Sequence, residues 1–237
     1  MKKRYCFTLT LLLALSLAVY LPEATAAPTQ ISACQKVTRS GSYQLARNLT
    51  AAGNCIVLAA DFVTIDLNGF TITGNGTGIA VLTDQQANRR GYVVRRGMIT
   101  NFKRGVDLGN ALDAVIEGVY AAENTEVGIY AGYSSIVTGN VVRGSGEVGI
   151  ETLDGSIVRG NAVIGTKKGA LGLGNGIVVN RGTLVSDNTS NFNAGHGIYV
   201  TCPSNITGNT AINNSDGNIS LNPATPTGCS QNNNVAP

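Results

Sequence analysis

The chain has no tryptophan, five phenylalanines and a single histidine, and charged residues make up only 13% of its 237 positions. Long stretches of Ala, Leu, Glu and Lys, the residues that favour helices, are missing, which argues against a helical bundle. Beyond the first 26 residues no apolar run approaches the roughly 20 residues that cross a bilayer, so no membrane helix is expected. The four cysteines that remain there stand far apart, and the one histidine, His196, makes no ligand cluster with them, so no metal site is implied. An excess of positive charge is missing too. The first 26 residues hold three of the 17 basic residues and one of the 14 acidic ones, leaving 14 and 13 in the rest. That near-neutral remainder does not call for nucleic acid as a partner.

Residues 1–26 read as an export signal: Lys2, Lys3 and Arg4, then a mostly apolar run from Phe7 to Leu21, then Ala24-Thr25-Ala26 as a small-residue cleavage site. Cys6 precedes the apolar run, unlike a lipoprotein cysteine. The expectation is a secreted or periplasmic protein.

What is abundant is glycine, 30 residues in all, together with Asn, Val and Ile. Gly and Asn punctuate short β-branched runs, the pattern of strands cut by tight turns. A repeat underlies it. Gly-Ile or a near variant recurs at Gly78, Gly105, Gly128, Gly149, Gly176, Gly197 and Gly217, with spacings of 27, 23, 21, 27, 21 and 20. A small residue or Asp followed by Asn recurs at Asn140, Asn161, Asn188 and Asn209, spaced 21, 27 and 21. Both markers lengthen at one place, which locates a six-residue insertion around Lys167 to Gly172. A second insertion is read around Leu82 to Arg90.

Apolar residues alternate within each repeat. Ile116, Val137, Val158, Val185 and Ile206 stand three positions before the Asn column, and Ile129, Ile150, Ile177, Ile198 and Ile219 lie just after the glycines. Such alternation marks strands with one buried face. A second polar column reads Asn124, Ser145, Thr166, Asn193 and Asn214. Both columns make sense if coils stack about 4.8 Å apart, so that each side-chain amide bonds the one below.

The run Val63 to Ile72 and the Asn-x-Val-x-x-Asn-x-x-x-Gly-Ile pattern resemble the right-handed parallel β-helix proteins of the pectate-lyase-like superfamily, over about residues 40–221. The resemblance implies an all-β, single-stranded right-handed parallel β-helix of about seven to eight coils averaging 21 residues. The organisation expected is a cap at 27–55, the β-helix at 56–221 and a tail at 222–237. Function does not follow, because that superfamily holds lyases, hydrolases, epimerases, adhesins and structural proteins.

Four cysteines allow three pairings. Cys34 and Cys55 are 21 apart, one coil, and Cys202 and Cys229 are 27 apart, one coil with an insertion. Either other pairing would join the two ends of a rod roughly 35–40 Å long. Stacked coils therefore favour Cys34–Cys55 and Cys202–Cys229, and an oxidising destination fits the leader.

Candidate chemistry is sparse. His196 lies in a Gly-His-Gly similar to that of polygalacturonases. The residues before the equivalent glycines, Asn175, Val148, Val127 and Arg104, supply no Asp pair, so His196 reads as a turn residue and the hydrolase is rejected. The outward column after the Gly-Ile marker reads Ala80, Asp107, Tyr130, Glu151, Val178, Tyr199 and Ser220. Asp107 and Glu151, two coils or roughly 10 Å apart, are too distant to share a Ca²⁺, and no cofactor is expected.

The strongest local bias is basic: Arg89, Arg90, Arg95, Arg96, Lys103 and Arg104 fall within sixteen residues. With Asp107 and Tyr130 they form the expected ligand-binding set for an acidic polysaccharide or cell-surface glycan. The bland reading has them neutralised by Asp107 and Glu117 on the next coil. The leading functional expectation is a non-catalytic glycan binder. The enzymatic alternative is a lyase or epimerase acting on uronate-containing polysaccharide, with Lys103 or Arg104 as base or charge neutraliser and Tyr130 as acid. A structural or adhesive rod is the third reading.

Overall fold

Short β-branched segments that bury alternate side chains cannot form a core alone, and here they do so by stacking one coil on the next. The computed structural model describes residues 27–84, 89–223 and 228–237. The expected leader lies outside them, as do residues 85–88 of the second proposed insertion and residues 224–227 of the tail. The described chain is a right-handed parallel β-helix, all-β, whose strands pair in parallel with those one coil away.

Each coil contributes three faces. The first carries strands such as Val63–Asp66, Ile136–Thr138 and Ile157–Arg159. The second carries Val141–Arg143 and Ala162–Ile164, and the third Val148–Thr152 and Asn175–Val179. First and second faces belong to one 15-stranded sheet and the third face to a 10-stranded one. Nine third-face strands in succession give about nine turns rather than seven to eight. The count rises because both ends are wound as well. Thr29–Ile31 pairs with Gly41–Leu45, Gln35–Val37 pairs with Ile56–Leu58, and Ser230–Asn232 pairs with Asn205–Thr207.

The core is a set of apolar stacks. Val94, Ile116, Val137, Val158, Val185 and Ile206 line the first face and are fully buried, as are Ile129, Ile150, Ile177 and Ile198 on the third. Between the first two faces runs the asparagine ladder. Asn140, Asn161, Asn188 and Asn209 are at most 2% exposed. Each side-chain amide donates to the next Oδ1 at 2.9–3.0 Å and also to a carbonyl of the preceding coil at 2.9 Å. The ladder ends on Asn234, which accepts from Asn209 at 3.0 Å. The residue before each rung turns the corner with positive φ: Gly139 (63°), Gly160 (63°), Asp187 (56°) and Gly208 (68°). That left-handed turn explains why the repeat marker is a glycine or aspartate ahead of the Asn. The Gly-Ile glycines serve a different end. A Cβ on Gly149 would lie 2.6 Å from the Gly176 carbonyl oxygen on the next coil, so a side chain there would force the coils apart.

The 27-residue coil keeps its register: Val148 pairs with Asn175 and Ile150 with Ile177, so the extra residues leave the stack as a loop. Disulfides join Cys34 to Cys55 and Cys202 to Cys229, with Cα separations of 4.4 and 5.2 Å. Each links adjacent coils near one end of the rod.

Candidate functional site

The six basic residues close in sequence do not form one patch. Winding spreads them around the perimeter, and five are held by carboxylates. Arg89 and Arg90 pair with Ala111 and Leu112 at the C-terminal end of the third-face strand Arg104–Leu112, and Arg89 bridges to Asp84 at 3.1 Å and Asp61 at 3.8 Å. Arg95 and Arg96 lie on the first face and its corner, where both grip Asp66, Arg95 at 3.2 Å. Burial of Asp66 works to raise its pKa. The Arg96 hydrogen bond, the Asn68 N–H and the two guanidinium charges outweigh burial and hold the carboxyl below its ordinary value. Lys103 and Arg104 enter the third face and share Glu126 at 3.2 Å each, and Arg104 also binds Asp107 at 2.9 Å. The neutralising acids are thus Asp61, Asp66, Asp84, Asp107 and Glu126. Glu117 acts on Arg96 only through its field.

The third face presents an outward column of Leu82, Asp107, Tyr130, Glu151, Val178, Tyr199 and Ser220. Leu82 stands where the spacing placed Ala80. Val106 pairs with Val81 rather than Ile79, so the Gly78-Ile79 marker is two residues out of register with the later coils. At the lower end Arg104 lies 5.8 Å from the Tyr130 ring centroid, and the Asp107 carboxylate accepts from the Gly109 N–H at 3.2 Å. Burial raises the Glu151 pKa; Arg104 opposes the shift and Asp107 adds to it. Burial raises Tyr130 as well, helped by Glu151 and Asp107. Both groups are held toward their protonated forms.

Above them the face opens into a groove of about 440 Å³, lined by Val148, Glu151, Gly172, Leu173, Asn175, Val178, His196, Tyr199 and Asp216. Its floor comes from three successive coils, and its wall is the loop 167–174 that carries the six-residue insertion. Glu147, 2% exposed, pins that wall by accepting the N–H groups of Leu171 at 2.5 Å and Leu173 at 3.1 Å. Lys168 closes the wall onto the far rim through Asp216 at 2.9 Å, and its hydrogen bond and charge lower the Asp216 pKa against the opposing effect of burial.

His196 opens the strand His196–Thr201 rather than sitting in a turn. Its backbone N–H donates to the Asn175 side chain at 2.8 Å, and its ring lies 5.5 Å from that of Tyr199. Its Nδ1 is buried without a hydrogen-bond partner among the described residues. A tyrosine platform beside an imidazole, an amide and two carboxyls over apolar Val148 and Val178 suits the faces and hydroxyls of sugar rings.

Sequence reasoning placed Glu151, Tyr199 and the insertion correctly but did not join them. Lys103, Arg104, Asp107 and Tyr130 come together below the groove, and Arg89, Arg90, Arg95 and Arg96 lie elsewhere on the perimeter. Among the described residues no group of three metal-ligating side chains converges.

No family model matches the chain, and no curated protein does. Solved structures do. The enzymatically active domain of tailspike protein 2 from bacteriophage CBA120 superposes with a TM-score of 0.63 at 15% identity, over 87% of this chain and 37% of that one. The full-length form of that tailspike gives 0.61 at 14% identity, over 87% and 33%. The chain spans about a third of the length of these proteins, and what it shares with them is the β-helix fold.

Proposed function

We propose that the protein is an exported glycan-binding rod that holds a segment of polysaccharide in the third-face groove, with a sugar ring against Tyr199. The observation that carries this reading is the construction of the groove. The one insertion whose placement both repeat markers agree on is folded back by Glu147 and Lys168 to wall an aromatic and polar floor. The two disulfides and the leader suit an exported protein.

Charge narrows the ligand. An acidic polysaccharide was expected from six clustered cations, yet five of them are ion-paired and they occupy several parts of the perimeter. The groove itself is lined by Glu151 and Asp216. A glycan with few carboxylates at the contacting units fits better there. Against the enzymatic alternative, two carboxylates raise the Arg104 pKa against burial, which disfavours Arg104 as a base and leaves it the role of charge neutraliser, with Lys103 as the remaining candidate base.

The test is a glycan array followed by calorimetry with neutral and uronate oligosaccharides. The wild-type protein should bind a neutral or weakly charged glycan, and Tyr199→Ala should weaken binding about three- to tenfold, as expected for one lost ring contact. Joint replacement of Arg95, Arg96, Lys103 and Arg104 by Ala should leave it intact. Loss of binding in that quadruple variant with Tyr199→Ala unaffected would overturn the groove reading, and silence of the whole array would leave a structural rod. Absorbance of unsaturated uronate on incubation with alginate or pectate would instead reveal a lyase.

A further inference from the structure

The first face carries two outward columns. In register along the rod, one reads Thr64, Val93, Val115, Ile136, Ile157, Leu184, Asn205, and the other Asp66, Arg95, Glu117, Thr138, Arg159, Ser186, Thr207. The first is an apolar stripe over five successive strands with polar ends. Ile136 and Ile157 are 38% and 37% exposed, and Val93, Val115 and Leu184 are half-buried. Single exposed apolar residues are ordinary; an uninterrupted stripe of five is a patch that wants a partner.

The order of residues says which partner. About Ile136 the stripe reads alike in both directions: Val115 balances Ile157, Val93 balances Leu184, and Thr64 balances Asn205. The second column has Glu117 and Arg159 one strand either side of Thr138, opposite in charge, and neither makes an ion pair among the described residues. A two-fold axis lying along the strand Ile136–Thr138 reverses the order of coils while keeping each column over itself. It sets Ile136 against its own copy, Val115 against Ile157, and Glu117 against Arg159, twice. Such a match between a surface and itself is what an isologous contact requires. The second face also bears exposed Met98 and Val141, but no charge pair there specifies a partner.

We propose that the first face is a self-association surface, pairing two copies antiparallel through the Val93–Leu184 stripe with Glu117 facing Arg159 of the partner. From Val93 to Leu184 the stripe spans four inter-strand steps, roughly 19 Å along the rod. A stripe one residue wide and that long falls short of the roughly 800 Å² per partner of standard interfaces, so the pairing is weak and concentration-dependent. Both third-face grooves stay open in such a pair. It would therefore engage one polysaccharide chain, or two, at two points, and gain avidity without a new contact.

Sedimentation of the exported protein across a wide concentration range tests this. The mass should rise toward twice the monomer and no further, and Ile136→Lys should leave a monomer with an unchanged melting midpoint. Glu117→Arg and Arg159→Glu, each alone, should weaken pairing about tenfold or more by placing like charges together. Their equimolar mixture should pair as well as the wild type, because only the mixed dimer restores both ion pairs. That recovery also shows both variants folded. A wild-type protein monomeric at every concentration, or a mixture that stays as weak as its components, would overturn the proposal. Neither result touches the glycan reading, which the Tyr199→Ala measurement judges separately.

Discussion

At the scale of single residues the ladder asparagines bear the heaviest structural demand. Asn161 accepts from both the backbone N–H and the side-chain amide of Asn140 while donating to the Val137 carbonyl. Replacement by Ala leaves those groups buried without partners, at about 1–3 kcal/mol for each unsatisfied group. Asn161→Ala is therefore expected to cost about 3–5 kcal/mol in urea unfolding, where an outward threonine replaced by Ala costs within about 0.5 kcal/mol. The ladder was legible in the sequence because its period is fixed by stacking and its corner residue by φ. The place of His196 in the groove was not. Its flanking glycines say only that coils approach closely, and its neighbours in the groove, Glu151 and Asp216, belong to other coils.

At the scale of elements the insertion decides the site. Six extra residues could have been a slack surface loop, since lengthening a loop costs little. Glu147 makes it a wall instead. Glu147→Ala should speed amide exchange at Leu171 and Leu173 and weaken glycan binding several-fold, while the melting midpoint of the coils moves little. Hydrogen–deuterium exchange alongside calorimetry reads both. The insertion itself was visible in the two spacings, but its destination was not, because a buried carboxylate twenty-four residues upstream of Leu171 carries no pattern. The basic run shows the converse. Arg95, Arg96, Lys103 and Arg104 look like a patch only until two corners separate them, and Asp66 and Glu126, their partners, sit a coil away.

At the scale of the molecule, each coil touches only its neighbours, so stability accumulates coil by coil and the ends are the weak points. The disulfides act there. Replacing Cys34 and Cys55 together by Ala should cost about 2–4 kcal/mol by releasing one coil's worth of chain. The loss should appear as faster exchange confined to the N-terminal coils, with the strands around Ile136 to Ile177 protected as before. Uniform loss along the rod would mean that the coils unfold as one unit. The number of coils was underestimated for the same reason that the ends matter. The terminal segments lack the Gly-Ile marker, and the last rung, Asn234, follows Asn233 rather than a glycine or aspartate, yet Thr29–Ile31 and Ser230–Asn232 still pair.

The undisturbed register on either side of the 27-residue coil has a consequence for variation. Where the corner accepts extra chain and the rungs do not notice, changes to the outer surface are decoupled from changes that threaten folding. Chain added at corners bordering the third sheet thus reshapes the outer surface while the inner lattice keeps its spacing.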